Sequence, residues 1–218
     1  MSQRKADYAE ETEIDEELDQ LPDEERIESA VENLEDHGFD VVLVDSADEA
    51  LDEIKSHIPE GVSVMNGHST TLEEIGFIDY LGEGEHGWES LPDKVWSIDD
   101  DEERQAARRE AQTADYFLGG INAVSETGEL VAADLSGSRV GAYPFAASNV
   151  VIVSGVNKIV PTLEDAYDRL ESVAYPLENE RAQEAYGVES AVAKQVTLHR
   201  ETEEGRTKVV LIEEQLGY

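Results

Sequence analysis

The stretch VVLVDSADEALDEIKSHIPEGVSVM, residues 41–65, contains a strand, a helix and a second strand in succession. VVLVD (41–45) is a short continuous apolar run, as expected of a strand that is covered on both faces. ADEALDEIKSHI (47–58) has a helical pattern and is ended by Pro59 and Gly61. VSVM (62–65) is again apolar and predicts the next strand.

The same alternation continues along the rest of the chain. The pattern predicts further helices at 23–39, 71–81, 100–114 and 162–177, the last stopped at Pro176, and further strands at 94–98, 115–124, 149–160 and 208–218. Strands that alternate with helices of this length predict an α/β fold, Rossmann-like, with a largely parallel sheet and helices on both faces. Residues 23–218 are expected to form this single domain, and residues 1–22 a flexible or helical acidic arm.

The charge of the chain is strongly negative. Among 218 residues there are 52 Asp and Glu against 16 Lys and Arg, a formal net charge of −36. The acids are spread over the whole sequence, which favours a folded domain with an acidic surface over an acidic tail. Self-repulsion on this scale is relieved in molar salt, where the Debye length falls to about 3 Å. We therefore expect a salt-adapted protein of a high-salt cytoplasm; a mesophilic protein that binds cations or basic partners is the alternative.

Several classes of function are disfavoured by what the sequence lacks. The chain has no cysteine, hence no disulfide, thiolate metal site or cysteine-bound iron–sulfur cluster, and it has no HExxH or other metal-ligand spacing. The absence of a basic patch argues against nucleic-acid binding. No apolar run approaches the roughly 20 residues of a membrane span, and the first residues do not form a signal peptide. The sequence predicts no metal, leaves the cofactor unknown and leaves a homo-oligomer open.

The first candidate site is NGHSTTLEE (66–74), a stretch that contains no acid before Glu73. Such a loop, placed between a strand and a helix, offers backbone and hydroxyl donors to an anion. Its candidate ligand-binding residues are Asn66, Gly67, His68, Ser69, Thr70 and Thr71. His68 is also a candidate acid or base near neutral pH. The alternative is an ordinary N-cap by one of the hydroxyl residues, with Glu73 or Glu74 completing a capping box.

Two further stretches follow predicted strands. GGINAVSETGELV (119–131) offers Asn122 and the turn Ser125, Glu126, Thr127 and Gly128, in which a carboxylate at a strand end is usable as a base or nucleophile. The alternative is a plain turn with Gly128 at a positive φ. In SGVNKIV (154–160), Asn157 and Lys158 are candidates for binding an anion, although Lys158 could equally pair with one of the many carboxylates.

Four blocks in order resemble the LUD domain family of lactate-utilisation proteins: NGHSTTLEEIGFIDYL (66–81), TADYFLGGINAVSETGELV (113–131), NVVIVSGVNKIVPTLEDAYDRLESVAYPL (149–177) and KVVLIEEQLGY (208–218). The resemblance begins at about residue 25, and it is greatest to the stand-alone branch, as a haloarchaeal-type member. It implies a fold like that of the NagB/RpiA/CoA-transferase superfamily. It also implies a role in the use of lactate or related organic acids beside iron–sulfur and oxidoreductase partners.

The resemblance adds two details about function. The turn SETG is similar to the SENG turn in which CoA-transferases place their nucleophilic glutamate, at Glu126 here, but Thr127 stands where those enzymes have asparagine. Members of the stand-alone branch often carry a cysteine-rich segment after the block that ends at Leu177, and this chain has none, which favours a ligand-binding or assembly role over a redox role. We expect a small anionic or nucleotide-like ligand between the 66–71 loop and the 122–128 turn. A CoA-transferase-like or isomerase-like enzyme using Glu126, and a non-catalytic assembly subunit, are the alternatives.

Overall fold

The computed structural model describes residues 12–218, and its centre is a sheet of six parallel strands. In chain order these are β1 (Asp40–Val44), β2 (Ser63–Asn66), β3 (Glu89–Ser90), β4 (Tyr116–Gly120), β7 (Asn149–Gly155) and β10 (Thr207–Ile212). Their order across the sheet is β1-β10-β7-β4-β2-β3. The predicted α/β fold with a parallel, Rossmann-like sheet is therefore confirmed.

A second, smaller sheet of four strands lies beside the first. Its members are β5 (Ala123–Ser125), β6 (Leu130–Asp134), β8 (Ile159–Val160) and β9 (Lys194–Leu198), in the order β8-β5-β6-β9. β5 and β6 form an antiparallel hairpin, β6 pairs antiparallel with β9, and β5 pairs parallel with β8. The turn-like residues of 125–145 indicate the hairpin, but the separate sheet and β9 were not predicted.

Helices surround both sheets. They are α1 (Glu24–Asp36), α2 (Ala47–His57), α3 (Thr70–Glu74), α4 (Phe77–Glu83), α5 (Leu91–Trp96), α6 (Asp101–Glu110), α7 (Ser138–Gly141), α8 (Leu163–Arg169) and α9 (Tyr175–Tyr186). Short 3₁₀ segments occur at Glu16–Asp19, Ala111–Thr113 and Val156–Lys158, and π-helical turns at Ala142–Ala146 and Leu170–Ala174. Side-chain caps such as Asp23, which accepts a hydrogen bond from the Arg26 N–H, fix several helix starts.

The central strands β7 and β10 are buried on both faces, as their continuous apolar runs predict. The same prediction for 41–45 is wrong, because β1 lies at the edge of the sheet: its valines are half-buried and Leu43 is 37% exposed. In β10, Val209 and Leu211 pack with α1 on one face, whereas Val210 and Ile212 pack with α2 and α4 on the other. The small sheet packs one face against the same core as α1 and its other face against α8 and α9. The core thus consists of three apolar clusters. One lies between α1 and both sheets, one between the large sheet and the helices α2 and α4, and one between the small sheet and the helices α8 and α9.

Three further predictions about local structure are wrong. Residues 94–98 do not form a strand, because Pro92 lies in the first turn of α5 and the apolar run is short, with Val95 buried and Trp96 63% exposed. The helix predicted at 71–81 is divided in two by Gly76, which has a φ of 76°. The helix that begins at Leu163 does not stop at Pro176 but continues to Tyr186, because the π-turn before the proline places it at the start of α9, where its missing N–H costs little.

The described part of the acidic N-terminal segment lies against the domain. Asp19, at the end of a 3₁₀ turn, is 5% exposed, and its carboxylate lies 2.7 Å from the Arg169 guanidinium. The same carboxylate accepts hydrogen bonds from Asn157 and Gln215. Residues 1–11 of the predicted arm lie outside the described residues. The boundary of the arm at residue 22 stays a prediction.

Candidate functional site

A cleft of about 620 Å³ lies at the carboxyl edge of the large sheet. The neighbouring strands β2 and β4 end there at Asn66 and Gly120, and their chain continues into the two stretches singled out from the sequence. Eight of the predicted site residues line it: Asn66, Gly67, His68, Ser69, Thr70, Thr71, Asn122 and Lys158. In parallel α/β sheets this edge is where ligands bind, so the location agrees with the general rule.

The 66–71 loop is held against the sheet by its glycine and by the cap of α3. The Gly67 N–H donates to the Leu118 carbonyl at 2.9 Å, and Ser69 Oγ accepts from the Leu72 N–H at 3.3 Å. A Cβ at Gly120 would lie 2.6 Å from Ser69 Oγ, so the second glycine of the GG pair makes room for this cap. The N-cap interpretation is therefore confirmed.

The predicted capping box does not form. The third residue of α3 is Leu72, which has no polar side chain, and the two acids that follow have other partners. Glu74 Oε2 accepts a hydrogen bond from the Gly217 N–H at 2.6 Å, and Glu73 Oε1 lies 3.5 Å from His68 Nδ1. α3 has only five residues, so its dipole contributes little, and any preference for an anion has to come from side chains.

Asn122 is oriented by its own acceptor. Its Oδ1 accepts hydrogen bonds from the Ala133 N–H at 2.9 Å and from Arg139 Nη2 at 3.1 Å. Arg139 is fixed in turn by Asp134 and by the carbonyls of Gly120 and Ala133. Both contacts use the oxygen of the amide, so the Nδ2 group of Asn122, a residue that lines the cleft, is available as a donor.

Lys158 is 1% exposed, and its ammonium group links the 66–71 loop to the segment that follows β4. Its Nζ donates to Thr71 Oγ1 at 3.0 Å and to the Ile121 carbonyl at 3.0 Å. Gly217, with a φ of 58°, brings the chain close to the same groups, and a Cβ there would clash with Thr71 Oγ1. The LGY segment at 216–218 therefore completes the cleft beside the 66–71 loop.

α9 contributes another part of the cleft wall. Arg181 makes two hydrogen bonds to the Glu178 carboxylate, at 2.8 Å and 2.7 Å, and the Tyr218 hydroxyl donates to the same carboxylate at 3.0 Å. Burial alone would favour the neutral acid, but the hydrogen bonds and charge of Arg181 hold the pKa of Glu178 below its usual value. Burial raises the pKa of Tyr218, so its hydroxyl is a donor at neutral pH.

His68 is neutral in the cleft at physiological pH. Desolvation by the cleft walls lowers its pKa to about 4, and the positive charges of Arg181 and Arg139 act in the same direction, opposed by Glu178. The side chain keeps 39% of its exposure, so the ring remains accessible to a ligand. A neutral imidazole can donate one hydrogen bond and accept another.

The SETG turn faces a different part of the molecule. Glu126 Oε2 lies 3.2 Å from Arg26 Nε, and the Glu126 carbonyl accepts from Asn33 Nδ2, both in α1. Gly128 packs against the same helix, where its carbonyl lies 2.8 Å from His37 Nδ1. Ser125, Glu126, Thr127, Gly128 and Asn157 are not among the described residues that line the cleft. The expected placement of the turn opposite the 66–71 loop is thus not found, because the β5–β6 hairpin directs its turn towards α1.

Sequence reasoning missed several charged or phenolic residues of the cleft, among them Arg139, Glu178, Arg181 and Tyr218. Their stretches lack glycine-rich or metal-ligand motifs, and the end of α9 was not predicted as helix at all. One signal was available in the sequence, because basic residues are scarce in this acidic chain, with 16 Lys and Arg against 52 Asp and Glu. In the structure both of these arginines are largely buried, with side chains 12% and 4% exposed.

Residues 12–218 contain neither a membrane-spanning helix nor a cluster of metal-binding side chains. These residues include no helix that is long and apolar enough to cross a bilayer. Within the same range, no three or more His, Asp or Glu side chains are grouped so that they could hold a metal ion.

Comparisons with known proteins agree with this architecture. A crystal structure of a DUF162 family protein from Deinococcus radiodurans is similar with a TM-score of 0.50 and 14% sequence identity, covering 88% of this chain and 99% of that chain. At this identity the similarity concerns the fold alone. No curated protein matches significantly. The family model of the LUD domain matches residues 27–212. This match spans both sheets and most of the cleft, and the chain therefore belongs to the LUD domain family.

Proposed function

We propose that this LUD domain protein takes part in the use of lactate or related organic acids by binding a small anionic ligand in the cleft. The observation that carries the proposal is the set of buried polar side chains on one wall. Ser69, Thr70, Thr71, Asn122 and Lys158 are each less than 10% exposed, and all of them line the same cavity. Most of these groups have hydrogen-bond partners within the protein, which hold them in place as the wall of a polar cavity. Such a wall suits a ligand with several oxygen atoms better than an apolar one.

The charge of the cleft supports an anion as the ligand. Four of the chain's 16 Lys and Arg line it, Arg108, Arg139, Lys158 and Arg181, but only four of its 52 Asp and Glu do. The potential inside the cleft is thus far less negative than over the remaining surface. An anion is repelled elsewhere on this molecule and meets its most favourable environment here.

Particular donors suit a carboxylate or a phosphate. The two bonds to the Asn122 oxygen fix the amide of this cleft residue and leave its Nδ2 group available, and Thr70 Oγ1 lies beside the Tyr218 hydroxyl without a hydrogen bond of good geometry. Neutral donors of this kind bind an anion with less desolvation than a free cation would require. Because Glu126 lies with Arg26 outside the cleft, we base no catalytic function on it.

Ligand-induced stabilisation tests the proposal. Thermal unfolding in molar KCl is compared with and without lactate, pyruvate, inorganic phosphate, sugar phosphates and acyl-CoA esters. A ligand at a hundredfold excess over its Kd adds about 2.7 kcal/mol to the free energy of unfolding, which is readily measured. If none of these anions raises the unfolding temperature, the proposed function is wrong.

A substitution assigns the effect to the cleft. Asn122→Asp keeps the oxygen that Ala133 and Arg139 contact but replaces the donor by a negative oxygen, and it should weaken binding of the stabilising anion by more than about tenfold. Asn149→Asp adds the same charge outside the cleft and serves as the matched control. Equal affinities of the Asn122→Asp variant and the wild-type protein would show that the ligand lies elsewhere.

A further inference from the structure

The mouth of the cleft is unusually apolar for this chain. Seven large apolar side chains are exposed in residues 12–218, and four of them line the cleft. These four are Trp96, Leu135, Tyr186 and Val188, with exposed fractions of 63%, 49%, 67% and 54%. In a chain with a net charge of −36, a concentration of exposed apolar side chains at one opening indicates a binding surface.

Each of the two aromatic residues is accompanied by an arginine of the cleft wall. The Arg108 guanidinium lies 5.6 Å from the centre of the Trp96 ring, and the Arg181 guanidinium lies 5.3 Å from the Tyr186 ring. These contacts hold the rings in place and bring positive charge next to an apolar face. Aromatic faces beside guanidinium groups are the combination on which planar, unsaturated groups stack in proteins.

The size of the cleft also exceeds the needs of a simple hydroxy acid. Its volume of about 620 Å³ lies within the range of roughly 300–1,000 Å³ that is typical of pockets for ligands with several ring or chain segments. An anion of the size of lactate that contacted Asn122 and Thr71 would leave the mouth empty. The apolar mouth and the polar interior belong to one continuous cavity.

From these observations we infer that the ligand is an anion that carries a planar aromatic group. This inference rests on the proposed function: the acidic group occupies the inner end, near Asn122 and the 66–71 loop, and the ring occupies the mouth against Trp96 and Tyr186. Stacking on an aromatic side chain changes affinity by about tenfold or more when that side chain is removed. The mouth therefore selects among anions by the ring that they carry.

Matched pairs of probes test this assignment. Inorganic phosphate is compared with phenyl phosphate, and lactate with 3-phenyllactate, by calorimetry in molar KCl. In the wild-type protein the aromatic member of at least one pair should bind about tenfold or more tightly than its small partner. In the double variant Trp96→Ala/Tyr186→Ala this preference should disappear, while the affinity for the small anion stays unchanged. Phe145→Ala, which removes an aromatic side chain that is 88% exposed outside the cleft, should keep the preference.

Fluorescence gives an independent measurement, because Trp88 is only 9% exposed and Trp96 is the accessible tryptophan. The aromatic probe should protect Trp96 from quenching by acrylamide, whereas the small anion should not. If small anions bind and the aromatic members bind no better, the inference is overturned and the proposed function stands. If no anion binds, both are overturned. A loss of self-association in the double variant, without a change in ligand preference, would show that the mouth is instead an interface between copies of the chain.

Discussion

Replacing Asp19 by asparagine should destabilise the protein by about 3–5 kcal/mol, a large part of the 5–15 kcal/mol that is typical of a whole domain. The substitution changes little volume, but it leaves the Arg169 guanidinium, which is 0% exposed, without the carboxylate that lies 2.7 Å away. Burial already lowers the pKa of Arg169 to about 10, and the charge of Asp19 opposes that shift. Removing the carboxylate therefore leaves a buried positive charge with only neutral partners, among them the Asn122 carbonyl.

The dependence on salt separates this buried pair from the acidic surface. Salt screens exposed charges, but it does not enter the interior where Asp19 and Arg169 lie, so the loss should be the same in dilute and in molar KCl. Asp52→Asn is the control, because Asp52 is 80% exposed in its contact with Lys55 and such pairs contribute about 0–0.5 kcal/mol. The measurement is urea unfolding followed by circular dichroism at both salt concentrations.

A double-mutant cycle shows whether the loss comes from the pair itself. Arg169→Met combined with Asp19→Leu removes both charges, and it should be less destabilising than the sum of the two single changes. A loss below about 1 kcal/mol for Asp19→Asn, or a loss that disappears in molar KCl, would refute the reasoning. In either case the N-terminal segment would not be anchored by this contact.

Three further outcomes are expected. Gly120→Ala should cost about 1–3 kcal/mol and weaken anion binding, since its Cβ would lie 2.6 Å from Ser69 Oγ; unchanged unfolding in urea would contradict this. His68 should remain unprotonated down to a pH of about 4 in an NMR titration, with the signal assigned by its loss in His68→Gln. The unfolded chain takes up this proton near pH 6.5 and the folded chain does not, so the free energy of unfolding should fall as the pH drops from 6.5 towards 4. The expected loss is about 1 kcal/mol, because solvent screens the partly exposed ring. Glu126→Gln should change stability by less than about 1 kcal/mol, because its pair with Arg26 is partly exposed, and should leave anion affinity as it is; a tenfold weaker affinity would return Glu126 to the site.

The large sheet could be predicted because most of its strands are continuous apolar runs in the sequence. A run such as 150–153, apolar at every position, has no amphipathic face and fits a strand that is buried on both sides. The run at 41–44 also forms a strand, but at the edge of the sheet, where Leu43 is 37% exposed. The small sheet gave weaker signals, since β8 has two residues and β9 mixes exposed and half-buried positions. At 94–98 the sequence signal is misleading. A short apolar cluster there has the composition of a strand, but Pro92 lies in the first turn of a helix.

For the site, the sequence indicates the loop but not its surroundings. The 66–71 stretch stands out by composition, and a strand–loop–helix order places it at the carboxyl edge of the sheet. Glu126 was grouped with it because both follow predicted strands. The path of the β5–β6 hairpin, which depends on long-range packing against α1, decides that they lie apart. The side chains from α9 enter the cleft only because a π-turn carries the helix through a proline, and no local pattern predicts that.

The position of β10 has a consequence for how the molecule is made. Last of the strands in chain order, it lies between β1, the first, and β7, pairing Asp40 with Lys208 and Val150 with Thr207. While a ribosome is still synthesising the chain, β1 thus has no partner strand until residues 207–212 have emerged, because β10 is its one neighbour among the described strands. The pairing of β1 with the sheet, and the part of the cleft that the LGY segment completes, therefore form only after these residues have been made. Such long-range parallel pairing is slow to form. The many acidic side chains then have a second use, since mutual repulsion between nascent chains discourages their open strand edges from pairing with one another during that interval.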